Sequence, residues 1–63
     1  MKINLNSASF EKIHSCLRML GEYRAHEIIY NRPYRDWDDL KKKVPRISDG
    51  MVQDIMRSGG IIQ

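Results

Sequence analysis

Apolar residues recur at spacings of three and four along most of the chain, the period of helices that bury one face. Phe10, Ile13 and Leu17 form the first stripe, with Ser9 placed as an N-cap, which predicts a helix over 10–17. Ala25, Ile28 and Ile29 predict a second helix over 22–31, ended by Pro33 because the residue before a proline is pushed out of the helical region. Trp37, Leu40 and Val44 repeat the first stripe behind the cap Asp36, with Asp39 in capping-box position, which predicts a third helix over 37–43. Ser48 suits the cap of a fourth helix over 49–58, with Met51, Val52, Ile55 and Met56 inward and Gly59 and Gly60 stopping it in left-handed geometry. Residues 2–6 alternate polar and apolar, so they run extended and lay Ile3 and Leu5 on the core. Tyr34, in the link between the second and third helices, is expected to pack inward, and at least one of Ile61 and Ile62 to fold back.

Two bends interrupt the helices: Leu17-Arg18-Met19-Leu20-Gly21 and Val44-Pro45-Arg46-Ile47-Ser48. Sliding the chain on itself by 27 residues aligns Ser9 with Asp36, Phe10 with Trp37, Ile13 with Leu40, Leu17 with Val44, Leu20 with Ile47, Gly21 with Ser48, Ala25 with Val52 and Ile28 with Ile55. Cap, core and bend positions thus keep one offset. Neither helical pair can bury a core alone, so the two are expected to share one, related by approximate two-fold symmetry. The predicted fold is all-α: a compact single domain over 1–63 of four to five short helices, with unit 1 at about 7–31 and unit 2 at about 34–58.

Length narrows this further, since 63 residues make at most one domain with a small core. Hydrophobic content of 41% with 30% charged residues fits a globular domain rather than a disordered tail. The longest apolar run, Ile28-Ile29-Tyr30, cannot span a bilayer, and no basic start precedes an apolar stretch, so neither a membrane partner nor a secretory signal is expected. Cys16 stands alone, which fits a reducing compartment and an intracellular site, cytoplasm, nucleoid or nucleus. A net charge of +3 permits a polyanionic partner. The distribution says more: Arg18 and Arg24 flank the first bend, while Lys41, Lys42, Lys43 and Arg46 gather before and within the second.

Candidate chemistry is sparse. His14, His26 and Cys16 match no zinc spacing, so no metal or other cofactor is expected. Ser15 or Cys16 beside His14 is adjacency without triad geometry, and so small a core has no room for a substrate pocket, so no catalytic residue is assigned and the chain is not expected to be an enzyme. Tyr23, Tyr30, Tyr34 and Trp37 are aromatics that could stack on bases; Tyr34 and Trp37 are expected in or at the edge of the core, and Tyr23, beside the first bend, is the one kept as a ligand contact. Met51 and Met56 read as core, and Met19, at a bend tip, as exposed.

Ile3-Asn4-Leu5-Asn6-Ser7-Ala8-Ser9, the bend ending in Leu20-Gly21, the following Ala25, Ile28-Ile29 and Arg32, and the link Pro33-Tyr34-Arg35-Asp36-Trp37-Asp38-Asp39-Leu40 together resemble the tandem helix-hairpin-helix domain of the competence protein ComEA and its relatives. That family opens with Ile-Asn-Leu-Asn-Thr-Ala-Ser, turns at Leu-Pro-Gly-Ile-Gly and links its units with Pro-Phe-x-Ser-x-Glu-Asp-Leu. The likeness covers residues 3–55 or so; the opening heptad and the link are its more specific parts, and the hairpins are degenerate.

The resemblance implies sequence-independent DNA binding. A tight bend leading into a helix leaves backbone N–H groups unpaired at the positive end of the helix dipole, where a phosphate can sit. Glycines let the backbone turn and the phosphate approach, and rim Lys and Arg add a salt-dependent attraction. On this reading the contact residues are Arg18, Gly21, Tyr23, Arg24, Lys43, Arg46, Ser48 and Gly50. The chain departs from the family at Met19, Arg46 and Ser48, which stand where the hairpins carry glycine. A side chain in left-handed geometry costs about 1–2 kcal/mol, so these bends either take another geometry or offset the strain by packing. Glu22 and Asp49 also place acids at the two helix starts. Two functions follow: an accessory module, part of or associated with a larger DNA-handling protein, that binds phosphate backbone, or a degenerate helix-hairpin-helix scaffold that binds a protein partner.

Overall fold

Three of the four helix starts carry the caps expected of them, Ser9, Asp36 and Ser48. In this computed structural model, which describes residues 2–63, Ser9 Oγ accepts the Lys12 N–H at 3.1 Å and opens α1 (Phe10–Cys16). Asp36 Oδ1 accepts the Asp39 N–H at 2.8 Å and opens α3 (Trp37–Lys43), while Asp39 Oδ2 reaches back to the Arg35 N–H at 3.0 Å. Ser48 Oγ accepts the Met51 N–H at 3.3 Å and opens α4 (Asp49–Arg57). α2 (Gly21–Asn31) differs: it follows a 3₁₀ turn, Arg18–Leu20, and has no side-chain cap. It ends at Arg32, whose φ −72° and ψ 159° are the extended geometry a following proline imposes; the Arg32–Pro33 bond is cis. Gly59, at φ 99°, turns the chain out of α4.

The expectation of an all-α chain holds in part. The described residues are mostly helical, but β1 (Ile3–Asn4) and β2 (Gly60–Ile61) form a two-stranded parallel sheet, with Ile3 opposite Gly60 and Asn4 opposite Ile61. The Ile3 N–H donates to Gly59 O at 2.8 Å and the Leu5 N–H to Ile61 O at 2.9 Å. This pairing needs glycine at 60: a Cβ there would lie 2.3 Å from Ile55 Cγ2 and 2.9 Å from Ile55 O. The extended strand buries Ile3 and Leu5, and Ile62 packs against the core, both as the apolar pattern indicated.

One cluster of buried side chains joins both helical pairs, with Ile13, Leu17, Leu20 and Ile28 from the first and Leu40, Val44, Ile47 and Ile55 from the second. Tyr34 joins it from the link and donates its hydroxyl to Ile28 O at 2.6 Å. Two methionine expectations are reversed. Met56 is 39% exposed: it lies beside the buried Val52 and Ile55 in the last turn of α4, and β2 approaches that turn at Ile55. Met19 is partly buried and packs against the core from the 3₁₀ turn, which lies against α4.

Side-chain amides close the fold. Asn6 Oδ1 accepts the Tyr34 N–H at 2.7 Å, and Asn6 Nδ2 donates to Tyr34 O at 2.8 Å and Gln63 O at 2.9 Å. Asn4 Oδ1 accepts the N–H groups of Asn6 and Gln63 at 3.1 and 3.3 Å. Arg32 Nη1 donates to Ala8 O at 2.8 Å. Replacing Asn6 by Ala should cost about 2–3 kcal/mol in urea unfolding, because it strips partners from the partly buried backbone of Tyr34; Asn6→Asp, which keeps the acceptor and loses the donor, should fall between the two. Tyr34 yields a pH test. Burial, its largest cause, raises the phenol to about 12 from 10.0, so the folded state resists ionisation. Stability should therefore decline as pH rises from 10 towards 12, and this slope should be shallower in Tyr34→Phe.

Candidate nucleic-acid interface

The two bends share a backbone frame. At the first, the Leu17 N–H donates to Ile13 O at 2.8 Å and the Leu20 N–H to Leu17 O at 3.1 Å; 27 residues later the Val44 N–H donates to Leu40 O at 2.8 Å and the Ile47 N–H to Val44 O at 3.0 Å. Leu17 (φ −113°, ψ 64°) and Val44 (φ −127°, ψ 80°) hold nearly the same conformation. Leu20 and Ile47, buried at equivalent positions, anchor the two turns.

Beyond that point the bends diverge. Gly21 has φ 72° and ψ 175°, a conformation that favours glycine, and a Cβ built there would have no atom within 4 Å, so the constraint is on the backbone and the space in front of it is open. Ser48 has φ −86° and ψ 169°, ordinary extended backbone. Among the described residues no side chain sits at positive φ. The departures at Met19, Arg46 and Ser48 therefore give different bend geometries without strain, which resolves the two alternatives left by the sequence.

Capping separates the bends chemically. Ser48 fills one of the amide positions of α4 with its own hydroxyl, and Lys41 Nζ bonds Asp49 beside it and lies 3.4 Å from Asp38. These groups, with Lys42 and Ile47, line the open depression at the second bend. The hydrogen bond to Asp49 is the main reason the Lys41 ammonium titrates above its ordinary value. The start of α2 has no such side chain over its amides.

The sequence-assigned contact residues divide accordingly. Arg18 is exposed on the 3₁₀ turn before Gly21. Arg24 is half-buried, with Nη1 3.5 Å from Leu20 O and Nε without a partner. Arg46 leaves the second bend and joins α2: its guanidinium lies 4.8 Å over the Tyr23 ring, and its Nε is 3.7 Å from Glu27 Oε1. Tyr23, Arg24 and Arg46 thus gather around the start of α2. Lys43 lies elsewhere, with Nζ on Pro33 O at 2.7 Å, 3.4 Å from Asp39 Oδ2 and over the Tyr34 ring. Ser48 and Gly50 remain at the second bend, where Gly50 is exposed and a Cβ would meet only Ser48 Oγ at 3.9 Å.

The fold adds contacts and exposures at three places that the sequence left undecided. Lys41 occupies the second bend, and only the fold brings it to Asp49, eight residues on. Tyr30 stands exposed on α2, where the i, i+3, i+7 spacing of Tyr23, His26 and Tyr30 was available as a signal. The two histidines are neither isolated nor ligand-like: Phe10 stacks on His26 at 4.1 Å and on His14 at 5.3 Å between ring centroids. Among the described residues, no three His, Cys, Asp or Glu side chains gather in a group that could hold a metal ion. None of the described helices is long and apolar enough to cross a membrane. No model of a known family matches the chain, and neither does any curated protein or solved structure.

The glycines provide a paired test by chemical denaturation. Gly21→Ala should lose about 1–2 kcal/mol, because alanine strains at that φ. Gly50→Ala should gain about 0.5–1 kcal/mol, because the position is helical and open.

Proposed function

We propose that the chain is a tandem helix-hairpin-helix domain of the ComEA-like kind, with two units related by approximate two-fold symmetry, and that it binds DNA without reading sequence, chiefly through its first bend. The recurrence of the same turn hydrogen bonds 27 residues apart supports the tandem reading. The observation that carries the function is Gly21. It opens an 11-residue helix with no side-chain cap, and Arg18, Arg24 and Arg46 surround that opening. A phosphate oxygen there would accept backbone N–H bonds at the positive end of the dipole and would feel nearby guanidinium charge. Glu22 opposes this charge but lies exposed to solvent, where its repulsion is screened. Contacts of this kind position a protein on the backbone and leave the bases unread.

The second bend supports the other reading, a degenerate scaffold that binds a protein partner. Its cap is occupied by Ser48, and the carboxylates of Asp38 and Asp49 stand at its mouth.

The test is a titration of labelled DNA at about 50 and about 200 mM salt. Binding should weaken steeply with salt, and Arg18→Glu and Arg24→Glu should each lower affinity and flatten the salt dependence. Ser48→Ala should lower stability by about 1 kcal/mol and leave binding unchanged. An absence of binding at the lower salt would overturn the DNA reading and favour the scaffold.

A further inference from the structure

We propose that the exposed face of α2 is a stacking surface for unpaired bases, so that the domain's preferred ligand is single-stranded DNA. This rests on the reading of the Gly21 bend as a phosphate site and names the strand it takes. Tyr23, His26 and Tyr30 follow one another at spacings of three and four, which aligns them on one side of the helix over about 10 Å of axis. Tyr30 is 89% exposed and Tyr23 63% exposed. His26 extends the surface sideways through its stack on Phe10, which also stacks on His14, the three rings lying within 14° of parallel in each pair. Single exposed aromatics need no explanation, but five rings arranged along one helix and onto its neighbour form a patch. Its charge suits a polyanion: Arg46 lies over Tyr23 and pairs with Glu27, and Arg24 sits in the adjoining turn.

The strand type follows from the two bends. Bases in a duplex stack on one another and offer this face only edges and phosphates, whereas unpaired bases present π-faces that aromatic side chains accept regardless of sequence. The first bend lacks the side-chain cap that Ser48 supplies at the second, so one phosphate backbone is held where α2 begins, and its bases can lie along the tyrosines that follow on the same helix.

The experiment measures fluorescence anisotropy of a labelled oligothymidine, a duplex of equal length and an abasic strand of equal length, all at low salt. The oligothymidine should bind more tightly than either of the others. Tyr30→Ala should weaken its binding at least about fivefold and leave duplex binding unchanged. Because Tyr30 is 89% exposed, circular dichroism should show the variant folded as the parent is. Equal binding of strand and duplex, with Tyr30→Ala neutral, overturns this inference and leaves the phosphate site standing. A lack of binding to all three ligands overturns both and assigns the aromatic face to a protein partner.

Discussion

The side-chain amide of Asn6 behaves as a peptide group set across the chain. It accepts from the Tyr34 N–H and donates to the Tyr34 carbonyl, as a residue in a paired strand would, and its second donor holds Gln63. Three segments far apart in sequence thereby meet at one side chain: the extended start, the link between the helical pairs, and the strand after α4. In a domain with total stability on the order of 5 kcal/mol, three such bonds at about 1 kcal/mol each are a large share. The link they hold also places Tyr34, whose hydroxyl bonds the carbonyl of Ile28 and so fixes the end of α2 against α3. The orientation of the two bends, and hence the surface they present, depends on that closure.

The two bends show how little local backbone geometry decides the chemistry of a helix start. Their turn hydrogen bonds agree within 0.1 Å, and both rest on a buried aliphatic, Leu20 or Ile47. One residue further on, Gly21 and Ser48 set opposite chemistry. A glycine in left-handed geometry aims the chain into α2 with no side chain over the amides. A serine in extended geometry aims it into α4 and satisfies one amide itself. Lys41 then spends its charge on Asp38 and Asp49, and Arg46 turns away to Tyr23. Positive charge that the sequence spreads over both bends is thereby concentrated at one.

Helices, caps and core were legible because each depends on residues within a few positions. Ser9, Asp36 and Ser48 cap as their spacing indicates, and every aliphatic of the 27-residue repeat is buried. The parallel strand pair was not legible, since it joins residues 57 apart in sequence through a glycine whose need arises only from Ile55. Asn6 of the opening heptad was visible within a motif, but its partners lie 28 and 57 positions away. The grouping of the candidate residues was legible in part. Arg18, Gly21, Tyr23 and Arg24 are local to one bend, whereas the departure of Arg46 and the capture of Lys43 by the link depend on how the two pairs pack.

Packing requirements account for some residues and leave others over. Gly60 is required by its approach to Ile55, Gly59 by its φ of 99°, and Tyr34 by the core it enters. Gly50 meets no neighbour that would exclude a methyl group, and Tyr30 buries almost nothing, so the fold supplies no reason for either. A helical glycine costs about 1 kcal/mol relative to alanine, and an exposed tyrosine ring gains none of the burial free energy available to it inside. Gly21 belongs to both groups: its backbone conformation demands glycine, and the same choice clears the space before α2. Function is therefore best sought where a structural demand and an open surface coincide, and on this molecule that point lies at the start of α2, with the exposed tyrosines running from it along the helix.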